Sequence, residues 1–255
     1  MTIDTRALYD QAADDWRRSE PLLLSDYTAR ERVLTAVGDI RDLHLWDLGC
    51  GEGYVGRRLA GLGARLVEGW DLSTAMVEAA RRQAGDLAAD YGGPLHYAVA
   101  DLADPRQLPR GACDGAVAVF LFNYLPLAAT ARVLTHVRSA LRPGGFFLFT
   151  VPHPALAWLR GAEPPFFLDP AGHPYLGSAD LPLEGRIWRR DGGANPVRAL
   201  HKTLADYFQL LARSGWERLP LVEELGVTET HLALDPAFFG PLRGVPLHLL
   251  FLLRR

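Results

Sequence analysis

Three glycines alternate with other residues at one point of the sequence. Gly49, Gly51 and Gly53 follow the apolar run 43–48 and precede a predicted helix. Because glycine has no side chain, such a loop lets a ligand approach the backbone closely, and the helix N-terminus that follows offers free amide groups. A simple tight turn would need only one or two glycines. The spacing therefore predicts a binding loop for a nucleotide-like ligand.

Two aspartates strengthen this prediction. Asp71 and Asp101 each stand at the carboxyl end of a predicted strand, along the edge where open α/β sheets bind ligands. Asp71 lies 22 residues past Gly49, which suits a carboxylate that bonds the ribose hydroxyls of an adenosine held on the glycine loop. An aspartate at a strand end is also commonly a helix cap. A role in binding is favoured because both aspartates occur together with the glycine loop at the same sheet edge.

A dinucleotide-binding oxidoreductase is an alternative, because residues 51–56 match G-x-G-x-x-G literally. In that interpretation the first glycine stands three residues beyond the strand, and Asp71 is only 15 residues past Gly56. Asp47 precedes the loop, where its carboxylate would repel a pyrophosphate and suit a cationic ligand better. An NAD(P)-dependent oxidoreductase is therefore kept as an alternative.

These residues need a scaffold of strands and helices, and the sequence from 43 to 152 predicts one by its alternation of apolar runs and amphipathic stretches. The predicted strands are 43–48, 65–70, 95–100, 114–121, 146–151, 216–222 and 245–253. Two helices are predicted within 5–37, with a break at Glu20-Pro21, and a third begins just past Gly53. A fourth runs from a cap at Ser73 to about Ala89, and a fifth spans 127–141. The last begins at Thr203, which forms a capping box with Asp206. We expect a sheet of about seven strands, mostly parallel and covered by helices.

The stretch 152–196 differs from the rest, because it holds eight of the eighteen prolines and several isolated aromatic residues. We expect it to be irregular apart from a hairpin formed by 186–190 and 197–201. Loops at the ligand edge carry specificity, so this lid should present aromatic residues, Trp158 and Trp188 among them, to a hydrophobic or aromatic small molecule. The expected single domain has a helical cap at 1–40, a core at 41–151, the lid at 152–201 and closing elements at 202–255.

Composition limits the function classes. The chain has 255 residues, 49% of them hydrophobic, a net charge of −3 and only two cysteines. This leaves no bulk positive charge to gather nucleic acid or a membrane surface, and no cysteine pattern for a metal or a disulfide framework. The longest apolar runs span about seven residues, against roughly 20 for a membrane helix, and no signal segment opens the chain. We expect a cytoplasmic enzyme without a metal that acts on a small molecule, of open oligomeric state.

The glycine loop resembles that of the class I S-adenosylmethionine-dependent methyltransferases, in the subset with the pattern LDLGCGxG, and the resemblance covers most of the chain. It implies a Rossmann-like three-layer sandwich, with the last of seven strands antiparallel, that uses S-adenosylmethionine and releases S-adenosylhomocysteine. It also places Asp47 near the methionyl end of the cofactor, with the loop glycines beneath, and Asp71 at the ribose. The other implied cofactor contacts are Leu72, Met76, Ala100, Asp101, Leu102, Val119, Phe120, Tyr9 and Tyr27. One departure is the apolar end of the fourth strand, 118–120, where the subset often has a polar residue.

Methyl transfer is an in-line displacement, in which holding the reactants at attack distance supplies much of the catalysis. A general base is needed for a hydroxyl and helps with a protonated amine. The candidates near the binding edge are His153, His201 and Tyr124, with Asn123 as a further substrate contact. The hypothesis is methyl transfer to O or N of a small, apolar or aromatic molecule of specialised metabolism. An alternative with the same cofactor site is cyclisation or another rearrangement.

Overall fold

The computed structural model describes residues 5–12, 16, 18–88 and 92–255. Within them the strands are β1 (His44–Leu48), β2 (Leu66–Asp71), β3 (Leu95–Val99), β4 (Cys113–Val119), β5 (Leu141–Pro152), β6 (Phe166–Asp169), β7 (Pro182–Trp188), β8 (Ala194–Leu200), β9 (Leu221–Leu225) and β10 (His248–Arg254). The helices are α1 (Thr5–Ala12), α2 (Glu31–Ala36), α3 (Tyr54–Gly61), α4 (Thr74–Ala84), α5 (Leu127–Ala140), α6 (Leu156–Leu159), α7 (Leu204–Arg213), α8 (Glu229–Leu234) and α9 (Pro236–Phe239). A π-helical segment, Asp26–Arg30, leads directly into α2.

Seven of these strands form the central sheet, in the order β3-β2-β1-β4-β5-β10-β9. The neighbours from β3 to β5 pair in parallel, whereas β10 pairs antiparallel with both β5 and β9. The mostly parallel, seven-stranded sheet with an antiparallel last strand is thereby confirmed. Because β10 runs against β5, its first residue, His248, lies beside Pro152 at the end of β5. The start of β10 therefore reaches the edge at which the parallel strands end.

Helices cover both faces of the sheet. On one face α5 and α7 share a core with Phe147 and Phe149 of β5, and on the other α2, α3 and α4 pack over Val67 and Leu148. Burial on both faces explains why β4 is almost wholly apolar. The three-layer sandwich is confirmed.

Local signals set the boundaries of the helices. The Oγ of Ser73 accepts a hydrogen bond from Met76 N at 3.1 Å, as predicted for the cap of α4, which ends at Ala84. The predicted end near Ala89 falls outside the described residues. Thr203 and Asp206 form the predicted capping box at the start of α7.

One strand begins later than predicted. The sequence indicated a strand at 216–222, but β9 starts at Leu221. Trp216 belongs to the connection before it, where the side chain is buried and stacks on Phe147 with ring centroids 6.1 Å apart. The apolar residue at this point therefore fills the core beneath α7 instead of continuing a strand.

The proline-rich insert is more regular than predicted. The strands β6, β7 and β8 form a second, antiparallel sheet in that order, and the predicted hairpin is its β7–β8 pair. Phe166 and Leu168 of β6 are buried with Leu183 and Ile187 of β7 in a third core, to which the N-terminal and C-terminal segments also contribute. The expectation of an irregular insert was wrong, because its strand prolines stand where sheets tolerate them: Pro182 begins β7, and Pro196 lies on the edge strand β8.

No helix in the described part of the chain is long and apolar enough to cross a membrane. The division of the chain at 40, 151 and 201 stays a prediction.

Candidate active site

A cavity of about 370 Å³ lies at the carboxyl ends of the parallel strands, between the loops that follow β1 to β4, the N-terminal segment and the inner face of the insert. Most of the predicted site residues line it. They are Tyr9, Asp47, Gly49, Gly51, Asp71, Leu72, Met76, Ala100, Asp101, Leu102, Val119, Phe120, Asn123 and Tyr124. The predicted binding edge and this cavity therefore coincide.

Asp71 holds the glycine loop against the end of β2. Its Oδ2 accepts a hydrogen bond from Gly51 N at 2.8 Å, and its Oδ1 accepts one from Ser73 N at 2.9 Å. The side chain is half-buried, and its partial removal from water raises the pKa of the carboxyl group. Two of its lone pairs remain for a ligand, so the carboxylate fixes the loop and can also accept hydroxyl donors in the cavity.

The loop glycines have different surroundings. Gly51 has a φ of +55°, and a Cβ placed on it would meet no atom within 4 Å. Gly53 has a φ of +80°, but a Cβ there would lie 2.8 Å from the Tyr97 hydroxyl, and Gly53 is absent from the cavity wall. Gly51 therefore leaves room for a ligand, whereas Gly53 leaves room for a neighbouring side chain of the fold.

Asp47 is a buried carboxyl group at the end of β1. It is 1% exposed, and its Oδ2 has no hydrogen-bond partner among the described residues. Burial, together with the nearby charge of Asp71, raises its pKa to about 7. Burying an ionised carboxylate oxygen without a partner costs folding free energy. A cationic ligand group beside Asp47 would offset this cost and lower the pKa of the carboxyl group.

A charged cluster from the N-terminal segment closes one side of the cavity. The buried Asp26 carboxylate pairs with Arg18 at 2.7 Å and with Arg30 at 3.1 Å. Glu52, in the glycine loop, pairs with Arg18 at 3.1 Å and with Arg57 at 2.8 Å. The sequence analysis missed this cluster, because nothing in the sequence distinguished these arginines from the others.

Arg30 is the member of that cluster with donors to spare. Its Nη1 donates to Ser25 Oγ and to Asp26 Oδ1, at 2.5 and 3.1 Å, while its guanidinium lies 5.1 Å from the ring centre of Phe120. Nε and Nη2 donate to no described residue, and the side chain lines the cavity. Three of its five N–H groups are therefore left for an anionic ligand group.

Helix α1 is fastened across the cavity by two hydrogen bonds to the core and one between tyrosines. Asp10 Oδ1 accepts from Ser73 Oγ at 2.5 Å and from Ala75 N at 3.3 Å, at the start of α4. The hydroxyls of Tyr9 and Tyr124 are hydrogen-bonded, and burial raises the pKa of both. Both phenols are therefore protonated at neutral pH, and because one donates its proton to the other, a single O–H remains to donate within the cavity.

The structure places His153 and His201 outside the wall of this cavity, in a smaller neighbouring pocket that shares Asn123, Pro152 and Leu168 with it. His153 faces Glu224, 3.2 Å from Nε2, because the chain leaving β5 is tied to the approach of β10 through His153 N and Leu247 O. His201 is turned into the insert, where its Nε2 lies 2.8 Å from Tyr175 O. Neither imidazole is among the groups that line the cavity.

Three predicted aromatic contacts also lie outside the cavity wall. The Trp158 indole donates to His173 O at 2.9 Å and packs on Tyr175 within the insert. Trp188 packs on Phe167, and Tyr27 donates to Pro21 O at 2.6 Å. Trp158 and Tyr27 pack against the core of the insert, and Trp188 contacts a neighbouring ring of the insert.

The sequence analysis missed His248, which does line the cavity. Its ring is 1% exposed and lies between Phe120 and Phe166, with centroids 5.0 and 5.7 Å away. Burial and the nearby Arg30 lower its pKa to about 3. The sequence did contain a signal for His248: it is a histidine near the start of the predicted last strand. An antiparallel strand at this place begins at the edge where the parallel strands end, so its first residues lie near the cavity.

Comparisons with known proteins agree with this geometry. Residues 46–145 match a family model described as a methyltransferase domain. A solved S-adenosylmethionine-dependent methyltransferase from Mesorhizobium loti is 28% identical, with a TM-score of 0.67 over 90% of this chain and 99% of that one.

Two curated relatives match over shorter stretches. Ribosomal protein L11 methyltransferase of Pseudomonas fluorescens is 34% identical over 108 residues, which are 42% of this chain and 33% of that protein. O-methyltransferase cnsE of Penicillium expansum is 36% identical over 103 residues, 40% of this chain and 35% of that protein. The chain spans about half or less of the length of the curated relatives that it matches.

The domain match, the strand order and the loop geometry all agree with the resemblance seen in the sequence. Residues 46–145 are therefore similar to methyltransferase domains, and the chain has the fold of the class I S-adenosylmethionine-dependent methyltransferases.

Proposed function

We propose that the protein transfers a methyl group from S-adenosylmethionine to an oxygen or nitrogen of a small, apolar or aromatic molecule. The observation that carries this proposal is Asp47, a buried carboxyl group whose Oδ2 has no partner within the described residues. A pyrophosphate would be repelled there, whereas the ammonium and sulfonium groups of S-adenosylmethionine complement it. The open space at Gly51 fits the same ligand, so the residues present suit this cofactor.

The roles of the binding residues follow from their positions. Asp71 accepts from the ribose hydroxyls, while Leu72, Met76, Ala100, Asp101 and Leu102 surround the adenine. Arg30 supplies its spare N–H groups to the carboxylate at the methionyl end. When bound, the cofactor supplies a methyl group on a sulfonium, which a nucleophile takes by in-line displacement. The chain contributes orientation and the exclusion of water from a buried cavity.

The substrate side of the cavity supports a small apolar molecule. The insert contributes Phe166, Leu168, Ile187 and Val197 to the wall, and the net charge of the chain is −3. Such a wall buries a hydrophobic or aromatic body and offers no field for a polyanion. We give His153 and His201 no part in the transfer, because neither lines the cavity.

Calorimetry with S-adenosylhomocysteine and with NADH tests the proposal. We expect the first to bind at micromolar concentration and the second not to bind. Mass spectrometry of candidate products then separates transfer, which adds one methyl group, from the cyclisation alternative, which yields an isomer. Binding of NADH without binding of S-adenosylhomocysteine would overturn the proposal.

The protonation of Asp47 makes a further prediction about pH. Its pKa of about 7 in the free protein falls when a cationic ligand binds, so the ligand displaces a proton below that pH. We expect the Kd for S-adenosylhomocysteine to rise about fivefold from pH 7 to pH 6, since Asp47 is about half ionised at pH 7 and about one-tenth ionised at pH 6. Calorimetry in buffers of different ionisation enthalpy measures both the Kd and the proton release.

The matched variants are Asp47→Asn and Asp104→Asn, the latter a half-buried aspartate that pairs with Arg106 and does not line the cavity. The first should bind more weakly with little dependence on pH, and the second should keep the wild-type slope. A Kd that stays constant from pH 8 to pH 6 in the wild type would show that Asp47 does not face the cation.

A further inference from the structure

His248 has a defined tautomer, which follows from its hydrogen bonds. Its Nε2 lies 3.0 Å from Thr28 Oγ1, and that hydroxyl donates its one hydrogen to Leu24 O at 3.0 Å. Thr28 Oγ1 can therefore only accept from the imidazole, so Nε2 carries the ring proton. Nδ1 is left with a lone pair.

No described residue donates to that lone pair. Nδ1 of His248 is buried and has no hydrogen-bond partner, although the ring lies in the wall of the cavity. Leaving a buried acceptor unpaired costs folding free energy, and native proteins rarely do so without a reason. Burial, and after it the nearby charges of Arg30 and His153, lowers the pKa of the His248 imidazole, so the ring stays a neutral acceptor.

Asn123 presents a second acceptor of the same kind. Its Nδ2 points toward Arg198 O at 3.5 Å, and its Oδ1 is buried without a partner in the described part of the chain. Both side chains line the same cavity. A ligand that fills the cavity beside two unpaired acceptors gains by presenting O–H or N–H groups, and an anionic oxygen placed there would face their lone pairs.

We propose that Nδ1 of His248 accepts a hydrogen bond from the hydroxyl or amino group of the methyl-accepting substrate, so that the site selects protic nucleophiles over carboxylates. This inference rests on the proposed function and refines its substrate class to apolar alcohols, phenols and amines. The hydrogen bond orients the nucleophile beside the apolar side chains that the insert contributes to the wall. His248 is thus a residue that touches the substrate, and Thr28 is the group that positions it.

Nitrogen NMR of the full chain, saturated with S-adenosylhomocysteine and labelled with ¹⁵N-histidine, tests the hydrogen bond without any turnover. The probes are phenol, aniline and sodium benzoate. We expect the Nδ1 resonance of His248, identified by its loss in His248→Gln, to shift with phenol and aniline and to stay in place with benzoate. Benzoate should bind at least tenfold more weakly than phenol.

Two variants show whether phenol binding depends on the hydrogen-bond acceptor at the Nδ1 position or on the imidazole ring itself. The side-chain oxygen of His248→Asn can stand near Nδ1, whereas the amide of His248→Gln reaches toward Thr28 and lacks that acceptor. We expect phenol to bind about as tightly to the Asn variant as to the wild type and at least fivefold more weakly to the Gln variant. The Kd for S-adenosylhomocysteine should be unchanged in both, which also reports that they fold, and in the control His96→Gln, an exposed strand residue.

Equal weakening of phenol binding by Asn and Gln, an unmoved Nδ1 resonance, or benzoate binding as tight as phenol would each overturn the inference while leaving the proposed function in place. Failure of the wild-type chain to bind S-adenosylhomocysteine would overturn the proposed function and this inference together.

Discussion

Asp71→Asn should raise the Kd for S-adenosylhomocysteine about a hundredfold, because hydrogen bonds to a charged group contribute about 1.5–3 kcal/mol each. Both carboxylate oxygens already accept backbone N–H groups, from Gly51 and Ser73. An amide would turn its NH₂ group toward one of these donors, which loosens the loop, and it would also offer less charge to the ribose hydroxyls. Isothermal calorimetry at pH 8, where Asp47 is ionised, measures the loss.

The matched control is Asp39→Asn, since Asp39 is exposed and pairs only with the neighbouring Arg41. This control should bind S-adenosylhomocysteine as the wild type does. If Asp71→Asn binds within about threefold of the wild type, the carboxylate does not hold the ribose, and the assignment of the adenosine to this edge fails. Far-ultraviolet circular dichroism of the variant shows whether the fold is retained.

Among single glycine-to-alanine substitutions in the glycine loop, we expect Gly53→Ala to destabilise the fold most. The added Cβ would lie 2.8 Å from Tyr97 Oη and 2.9 Å from Tyr97 Cζ, and the φ of +80° disfavours any residue with a side chain. Left-handed backbone costs about 1–2 kcal/mol and overpacking a core about 1–3 kcal/mol. We expect the free energy of unfolding in urea to fall by about 2–5 kcal/mol.

Gly51→Ala tests the other role of the loop. Its Cβ meets nothing within 4 Å, so only the cost of a positive φ applies, about 1–2 kcal/mol of stability. The methyl group occupies space that we assign to the cofactor, and we expect S-adenosylhomocysteine to bind at least about tenfold more weakly, which corresponds to about 1.4 kcal/mol. Urea unfolding and calorimetry on the same samples separate the two effects.

Gly192→Ala is the control for backbone strain alone, because Gly192 has a φ of +91° in the turn between β7 and β8 with nothing near its Cβ. It should lose as much stability as Gly51→Ala and keep wild-type affinity. A Gly53→Ala variant as stable as Gly192→Ala would mean that Tyr97 moves aside freely, and tight binding by Gly51→Ala would mean that the ligand does not pass over the loop.

The scaffold and the cofactor half of the site could be predicted from the sequence because their signals are local. Apolar runs of strand length, the Ser73 cap and the Thr203 capping box each depend on neighbours within a few residues. The positions of Asp47 and Asp71 follow from the same logic, since a residue at the end of a parallel strand lies at the ligand edge wherever the strand sits in the sheet.

The regularity of the insert could not be predicted in this way. Prolines break local patterns, and only the pairing of β7 with β6 and β8 shows that these residues extend as a sheet. The edge position of β8, which tolerates Pro196, is a property of the whole sheet and not of the residues around the proline.

The residues that line the substrate side of the cavity could not be predicted from the sequence, because their orientation depends on contacts between residues far apart in the chain. His153 stands beside the predicted edge in the sequence, yet its backbone bond to Leu247 directs its side chain to Glu224. His248 reaches the cavity only because β10 inserts antiparallel beside β5, and its tautomer is set by Thr28, 220 residues earlier. The sequence by itself determined the fold and the sheet edge at which the cavity lies, since helix and strand periodicity and glycine conformation act locally. Tertiary structure alone decided which histidine and which arginines line the cavity, because the direction of a side chain depends on the packing of segments that the sequence does not place side by side.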